Sequence, residues 1–236
     1  MNDKMYRSDY VIPMWEQPSV AVAGGAAFPV RRIFCVGRNY AEHAREMGTD
    51  PNREPPFFFM KAADSIVASG ADVKYPSRTE DLHYEVELVL ALGASGSDIA
   101  VSDASDYIFG YAVGVDLTRR DLQQQMKEKG RPWDVGKSFG QAAPVGEIQP
   151  GWNIGHPRKG KISLSVNGNI RQEGDLNQMI WSIDEVIAEL STYYKLEVGD
   201  LIFTGTPAGV GPLVRGDEVT GVIEELEPLK FTISST

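Results

Sequence analysis

Glu85 and Glu87 stand two residues apart in LHYEVELVLAL (82–92), a run that otherwise has the composition of a buried strand. Successive strand side chains point to opposite faces, so the two carboxylates share a face with His83, Val89 and Ala91. Tyr84, Val86, Leu88, Leu90 and Leu92 make the other face, which is apolar throughout. A solvated antiparallel strand usually keeps alternating along its whole length. This one turns apolar on both faces at Val89, which leaves Glu85 and Glu87 near the mouth of a sheet. Two carboxylates there need a cation, a shared proton or open water. Asp116, at the end of the apolar run YAVGVD, is a possible third member, although a strand-end aspartate before a helix is more often a turn or capping residue. Three carboxylates together would suit a hard divalent cation (Mg²⁺, Mn²⁺ or Ca²⁺). Zinc is disfavoured, because His43, His83 and His156 have no ligand spacing. His83 fits either a contact to a ligand residue or a surface histidine.

His43 and Glu46 lie three apart on an expected helix and are therefore neighbours on its surface. A carboxylate beside an imidazole fixes its tautomer and raises its basicity, which suits a general base acting on water. Spacing alone favours an ordinary exposed pair. GKS at 136–138 lacks the upstream glycine of a phosphate-binding loop, since residue 131 is Arg. GTPAGVGP (205–212) is no dinucleotide fingerprint; it is either a plain turn or a loop offering backbone N–H groups and the Thr206 hydroxyl to an anion. No GxSxG pattern is present.

The elements that must position these residues are many short strands and few helices. Helices are expected over 40–47, opened by Asn39 and closed by Gly48; around 103–110; over 119–129, with Thr118 as N-cap and Asp121 at the capping-box position; and over 183–194, with a Ser182–Glu185 capping box. Strands are expected near 30–36, 57–60, 83–92, 110–116, 161–167, 200–204, 217–223 and 229–234, with Asn167-Gly168-Asn169 as a hairpin turn. Strands and helices do not alternate regularly, which argues for an α+β, strand-rich domain. A boundary is expected near residues 25–29, making 1–25 an N-terminal extension packed on a main domain of 26–236. At 236 residues, 42% hydrophobic and 24% charged, the chain can bury a proper core. A net charge of −10 argues against nucleic acid as partner, and no apolar run is long enough for a membrane span. The single cysteine, Cys35, fits a core position in a reducing cytoplasm.

Seven segments in order carry a resemblance: GRNYAEHAREM (37–47), FFFMKAADSIV (57–67), LHYEVELVLALG (82–93), GYAVGVDLTRRDLQ (110–123), KGRPWDVGKSF (129–139), VNGNIRQEG (166–174) and GDLIFTGTPAGVGP (199–212). Together they resemble the fumarylacetoacetate hydrolase superfamily, and within it the short acylpyruvate hydrolases, which include fumarylpyruvate hydrolases. The resemblance implies a strand-rich mixed β-sandwich roll with a few short helices. It implies Mg²⁺ (with Mn²⁺ or Ca²⁺ as substitutes) held by Glu85, Glu87 and Asp116, and a lid carrying His43 and Glu46. It further implies an oxyanion contact from Lys137 and Gln123, and substrate contacts from Arg120, Thr206 and Lys61. The expected reaction is hydrolysis of the carbon–carbon bond of an anionic diketo acid, preferably fumarylpyruvate, by a homodimer. Oxaloacetate decarboxylation, isomerisation or hydrolysis in homoprotocatechuate breakdown, and a non-catalytic metal-binding module are the alternatives.

Overall fold

The computed structural model describes residues 10–46 and 54–235. Its elements in chain order are β1 (Ser19–Val22), β2 (Ala26–Pro29), β3 (Arg32–Gly37), α1 (Ala41–Glu46), β4 (Phe57–Lys61), β5 (Ile66–Ala68), β6 (Asp72–Val73), β7 (Leu82–Tyr84), β8 (Val86–Leu92) and β9 (Ile108–Val115). There follow β10 (Thr118–Arg119), α2 (Arg120–Glu128), α3 (Asp134–Lys137), β11 (Ala143–Val145), β12 (Gln149–Pro150), α4 (Gly151–Ile154), β13 (Lys161–Val166), β14 (Asn169–Asp175), α5 (Ile183–Tyr193), β15 (Asp200–Phe203), β16 (Gly211–Leu213), β17 (Glu218–Ile223) and β18 (Leu229–Ile233). The fold is α+β and dominated by mixed sheets.

The main sheet runs β4-β3-β15-β8-β9-β11-β5, with β12 also on β9. It is antiparallel except for the β15–β3 and β11–β5 pairs. A second sheet, β14-β13-β17-β18-β6, covers one face. The alternation of β8 shows why the sequence turned apolar on both sides. Val86, Leu88, Leu90 and Leu92 enter the larger core, which also takes Ile162, Leu164, Val219, Phe231 and the buried stripe of α5. Val89 and Ala91 enter a second core on the opposite face, with Ile33, Cys35, Phe203 and the hairpin residues Val20, Val22 and Phe28. A strand covered on both faces gains from apolar side chains at every position.

β1 and β2 pair along their length, and Ile148 exchanges backbone bonds with Ala21 and Ala23. A division at 25/26 falls in the turn of this hairpin. The β13–β14 hairpin turns at Asn167 and Gly168, both at positive φ (51° and 75°), which the sequence Asn-Gly accommodates. α5 has the expected capping box: Ser182 Oγ accepts from Glu185 N and Glu185 Oε2 accepts from Ser182 N.

Three local expectations are corrected. Residues 101–107 form a 3₁₀ segment rather than an α-helix over 103–110; β9 claims the remainder from Ile108. Thr118 is not an N-cap: it lies in β10, and its hydroxyl is taken by Asp116 O and Lys137 Nζ. Asp121 closes no capping box; it accepts from Thr79 Oγ1 (2.6 Å) and from the backbone N–H of Glu80 and Leu122. The expected end of α1 at Gly48 lies outside the described residues. No helix among the described residues is long and apolar enough to cross a membrane.

Candidate active site

β7 and β8 are separated by one residue, Glu85, at which the chain leaves the main sheet for a small sheet of β10, β7 and β16. β9 ends beside it, and Asp116 N donates to Glu85 O at 2.8 Å. The two strand ends thus bring Glu85, Glu87 and Asp116 together, all buried, each with an oxygen within 4.8 Å of one another. The third carboxylate, ambiguous as a sequence feature, joins the pair.

The three differ in their neighbours. Glu85 receives Lys137 Nζ at 2.8 Å on one oxygen and the Arg120 guanidinium on the other. Burial alone would raise its carboxyl; Lys137 and Arg120 outweigh that and hold it well below the usual carboxylate range. Asp116 Oδ2 accepts from Lys137 Nζ at 2.7 Å. Its Oδ1 lies 2.7 Å from Lys61 Nζ, off the direction a hydrogen bond needs, so it has an ion-pair partner and no hydrogen bond. Glu87 has the Gly205 backbone N–H at 2.7 Å and no ion pair among the described residues. Burial, then repulsion from Asp116 and Glu85, push its carboxyl well above its ordinary range. A donor set of three buried carboxylates, with one oxygen lacking a hydrogen bond and one carboxylate lacking a counter-ion, fits a hard divalent cation.

These residues line a narrow cleft, partly open to solvent, with His43, Arg120, Gln123, Lys137 and Thr206. α1 contributes His43, which is 6% exposed, so the ordinary surface pair favoured by spacing is overturned. Its Nδ1 is 3.3 Å from Glu46 Oε2, and Glu46 accepts in turn from Gly209 N at 3.1 Å. The imidazole is therefore oriented through one nitrogen, and its other nitrogen is left for the cleft. Gly209 has φ +95°, and a Cβ there would meet Arg171 O at 2.4 Å, so the position requires glycine. The glycine-rich segment does bind anions through its backbone, but they are the protein's own carboxylates, Glu87 and Glu46.

Lys137 donates to Glu85, Asp116 and Thr118. Burial works against its charge, but Asp116 and Glu85 outweigh it and raise its pKa. Arg120 also bonds Gln123 Oε1 at 2.6 Å, and its Nε approaches His83 Nδ1 at 3.4 Å. His83 Nε2 in turn meets Asp81 at 2.8 Å. His83 thus supports Arg120 from behind, and burial, then Arg120, lower its pKa.

Two expected substrate contacts sit differently. Lys61 does not line the cleft: its ammonium is enclosed behind Asp116 and donates to the carbonyls of Leu117 and Lys137. Thr206 lines the cleft, yet its hydroxyl hydrogen goes to Val86 O, while Gln172 Nε2 donates to its oxygen. Arg38, Phe59, Gln124, Lys127 and Trp133 also line the cleft and were not anticipated. Gln124 and Lys127 had a signal: with Arg120 and Gln123 they complete an i, i+3, i+4, i+7 stripe on α2.

Residues 32–234 match the family described as "Fumarylacetoacetate (FAA) hydrolase C-terminal". The chain belongs to the fumarylacetoacetate hydrolase family. Among the family's relatives, a fumarylpyruvate hydrolase of Ralstonia sp. is 45% identical over 184 residues, 78% of this chain and 95% of that protein. The mitochondrial oxaloacetate tautomerase of Bos taurus is 41% identical over 203 residues, covering 86% of this chain and 91% of the relative. The crystal structure of fumarylpyruvate hydrolase from Pseudomonas aeruginosa, in complex with Mn²⁺ and pyruvate, has a TM-score of 0.94 at 48% identity, covering 97% of this chain and all of that one.

Proposed function

We propose that this protein is a divalent-metal-dependent hydrolase of the carbon–carbon bond of an acylpyruvate, with fumarylpyruvate as the preferred substrate and Mg²⁺ or Mn²⁺ as the ion. The observation that carries the reading is the buried Glu85–Glu87–Asp116 group sharing one cleft with the buried His43, whose Nδ1 rests on the more exposed Glu46. A fumarylpyruvate hydrolase relative of 45% identity supports the same assignment.

Glu85, Glu87 and Asp116 would hold the ion, and when bound it supplies Lewis acidity that stabilises negative charge on a pyruvate enolate. The protein's own residues do the rest. Arg120, fixed by Glu85, Gln123 and His83, orients the acid end of the substrate beside the carboxylates. His43, with Nδ1 held on Glu46, takes a proton from water at its free nitrogen. The water oxygen adds to the acyl carbonyl, and Lys137 with Gln123 faces the charge that develops there. The carbon–carbon bond then breaks: the acyl part leaves as a carboxylic acid, and the pyruvate carbon takes up the proton that His43 removed from water. Closure of the segment bearing His43 would keep bulk water out. We assign the cytoplasm and a homodimer to the same reading; sedimentation of the purified protein tests the second.

A second reading, oxaloacetate tautomerisation, is favoured by the 41% identical tautomerase. It needs a proton moved between carbon and oxygen and no attacking water. Pyruvate release from fumarylpyruvate, with an equal amount of fumarate, separates the two when run beside enol–keto conversion of oxaloacetate, each with Mg²⁺ and with chelator. Chelator-sensitive cleavage is the expected result. Tautomerisation without cleavage would replace the hydrolase reading.

A further inference from the structure

The cleft has an inner and an outer end with different electrostatics. At the inner end three cations, Lys61, Lys137 and Arg120, are all paired with Glu85 or Asp116, which leaves none of them free for a ligand carboxylate. Two further cations line the same cleft, Arg38 and Lys127. Neither has a hydrogen bond or ion pair from its side chain among the described residues; the Arg38 guanidinium only lies over the Phe57 ring, 5.8 Å from its centroid. A half-buried guanidinium without an anion is unusual, because desolvation is then uncompensated.

The backbone singles out the same residue. Arg38 has φ 59°, a left-handed conformation that is unfavourable for a non-glycine residue. It is held there from both sides. Gly37 pairs with Phe57 in the sheet, and Asn39 bonds Trp181 and Thr204. Strain of this kind persists where the surroundings fix it, and it concentrates at ligand sites.

α2 supplies the other cation. Its stripe Arg120, Gln123, Gln124 and Lys127 faces the cleft along its whole length. Lys127 lies seven residues beyond Arg120, about 10 Å along the helix axis. Phe59 and Trp133, with ring centroids 5.9 Å apart, line the cleft as well and offer flat apolar surface to a conjugated chain.

We propose that Arg38 and Lys127 form a second carboxylate subsite at the outer end of this cleft, selecting acylpyruvates whose acyl chain itself ends in a carboxylate. This rests on the acylpyruvate reading and deepens it. On this reading a seven-carbon diacid offers one carboxylate to each end of the cleft, and the four-carbon oxaloacetate engages the inner end alone. Arg38 contributes a fork matched to a carboxylate, Lys127 a mobile point charge.

The test compares fumarylpyruvate with acetylpyruvate, which lacks the second carboxylate, on the Mn²⁺-loaded enzyme and on Arg38→Met and Lys127→Met. Arg38→Met should lower the fumarylpyruvate-to-acetylpyruvate ratio of kcat/KM at least tenfold, through KM, and Lys127→Met at least threefold. Equal losses on both substrates, or an unchanged ratio in both variants, would overturn the subsite. A second arm does not depend on turnover: calorimetric binding of fumarate against crotonate, which carries a methyl group in place of one carboxylate. Wild-type protein should prefer fumarate, and Arg38→Met should lose the preference. If neither acylpyruvate is cleaved but this Arg38-dependent preference is present, the hydrolase reading fails and the subsite stands. No preference in the wild type overturns the subsite whatever the turnover. Lys127, exposed on a helix surface, provides a variant whose folding is not at risk.

Discussion

Lys61 offers a sharp test, because its position has turned from a substrate contact into a buried prop. Lys61→Met keeps the aliphatic length and removes the ammonium. In the native protein that charge lies 2.7 Å from Asp116 Oδ1, with both side chains essentially inaccessible (0% and 1%). It also satisfies the carbonyls of Leu117 and Lys137. Breaking a buried pair by removing one partner costs about 3–5 kcal/mol, since the remaining charge is stranded. For a chain of this size each kcal/mol lowers Tm by about 2–4 °C, so the variant should melt roughly 6–20 °C below wild type in chelator. Lys161→Met is the control: its pair with Glu173 is more than half exposed on both sides, and such pairs contribute about 0–1 kcal/mol. Thermal and urea unfolding followed by circular dichroism, each with EDTA and with saturating Mn²⁺, measure Tm and the free-energy deficit. The Lys61→Met deficit should shrink in Mn²⁺, because a bound cation returns positive charge to Asp116. A deficit below 1 kcal/mol in EDTA would refute the reasoning, and so would one equal to that of Lys161→Met.

Other expectations follow the same site. Glu87→Gln should stabilise the chelator-treated protein, because the wild-type carboxyl is pushed up by burial and by Asp116 and Glu85; the stability that its protonation contributes is full below about pH 4.3 and lost as pH rises through the folded value. The same variant should lose the Mn²⁺-induced rise in Tm, and a retained rise would exclude Glu87 as a ligand. His43→Gln should lower kcat by about 10²–10⁴-fold, the usual share of a general base, while the Mn²⁺-induced rise in Tm persists; near-normal turnover would remove His43 from the chemistry. Cys35, fully buried with its thiol pushed well up by burial, should react with a thiol reagent only at the rate of unfolding. Above about pH 8.5, where the unfolded thiol ionises and the folded one does not, it should cost up to about 1.4 kcal/mol of stability per pH unit; Cys35→Ala should flatten that slope.

Much of this was legible in the sequence, for identifiable reasons. The period-two pattern around Glu85 and Glu87 located the carboxylate cluster and marked a strand buried on both faces. Asn167-Gly168 and the Ser182–Glu185 box were readable because their chemistry is local. Thr118 and Lys61 were misread for the opposite reason. Thr118 has the composition of a cap, but Lys137, nineteen residues away, claims its hydroxyl. Nothing within the FFFMK segment tells that its lysine is enclosed by Leu117 and the backbone of Lys137. His43 was undervalued because its burial depends on a cleft built by distant segments. Short strands such as β5, β6, β12 and β16 carry too few residues for a period to register.

The loop from Gly205 to Gly209 holds Glu87 by one backbone N–H and Glu46 by another. These carboxylates belong to opposite halves of the proposed reaction, one to the cation and one to the proton acceptor. The spacing between the halves is therefore gauged by five residues of backbone, in addition to the sheet that carries β8 and the helix that carries His43. Side-chain substitutions in that loop need not touch substrate to be damaging. One that tilts its peptide planes shifts both halves together, so its effect should be strongly non-additive with His43→Gln and Glu87→Gln. The loop serves as a caliper, and its glycines fix the gap.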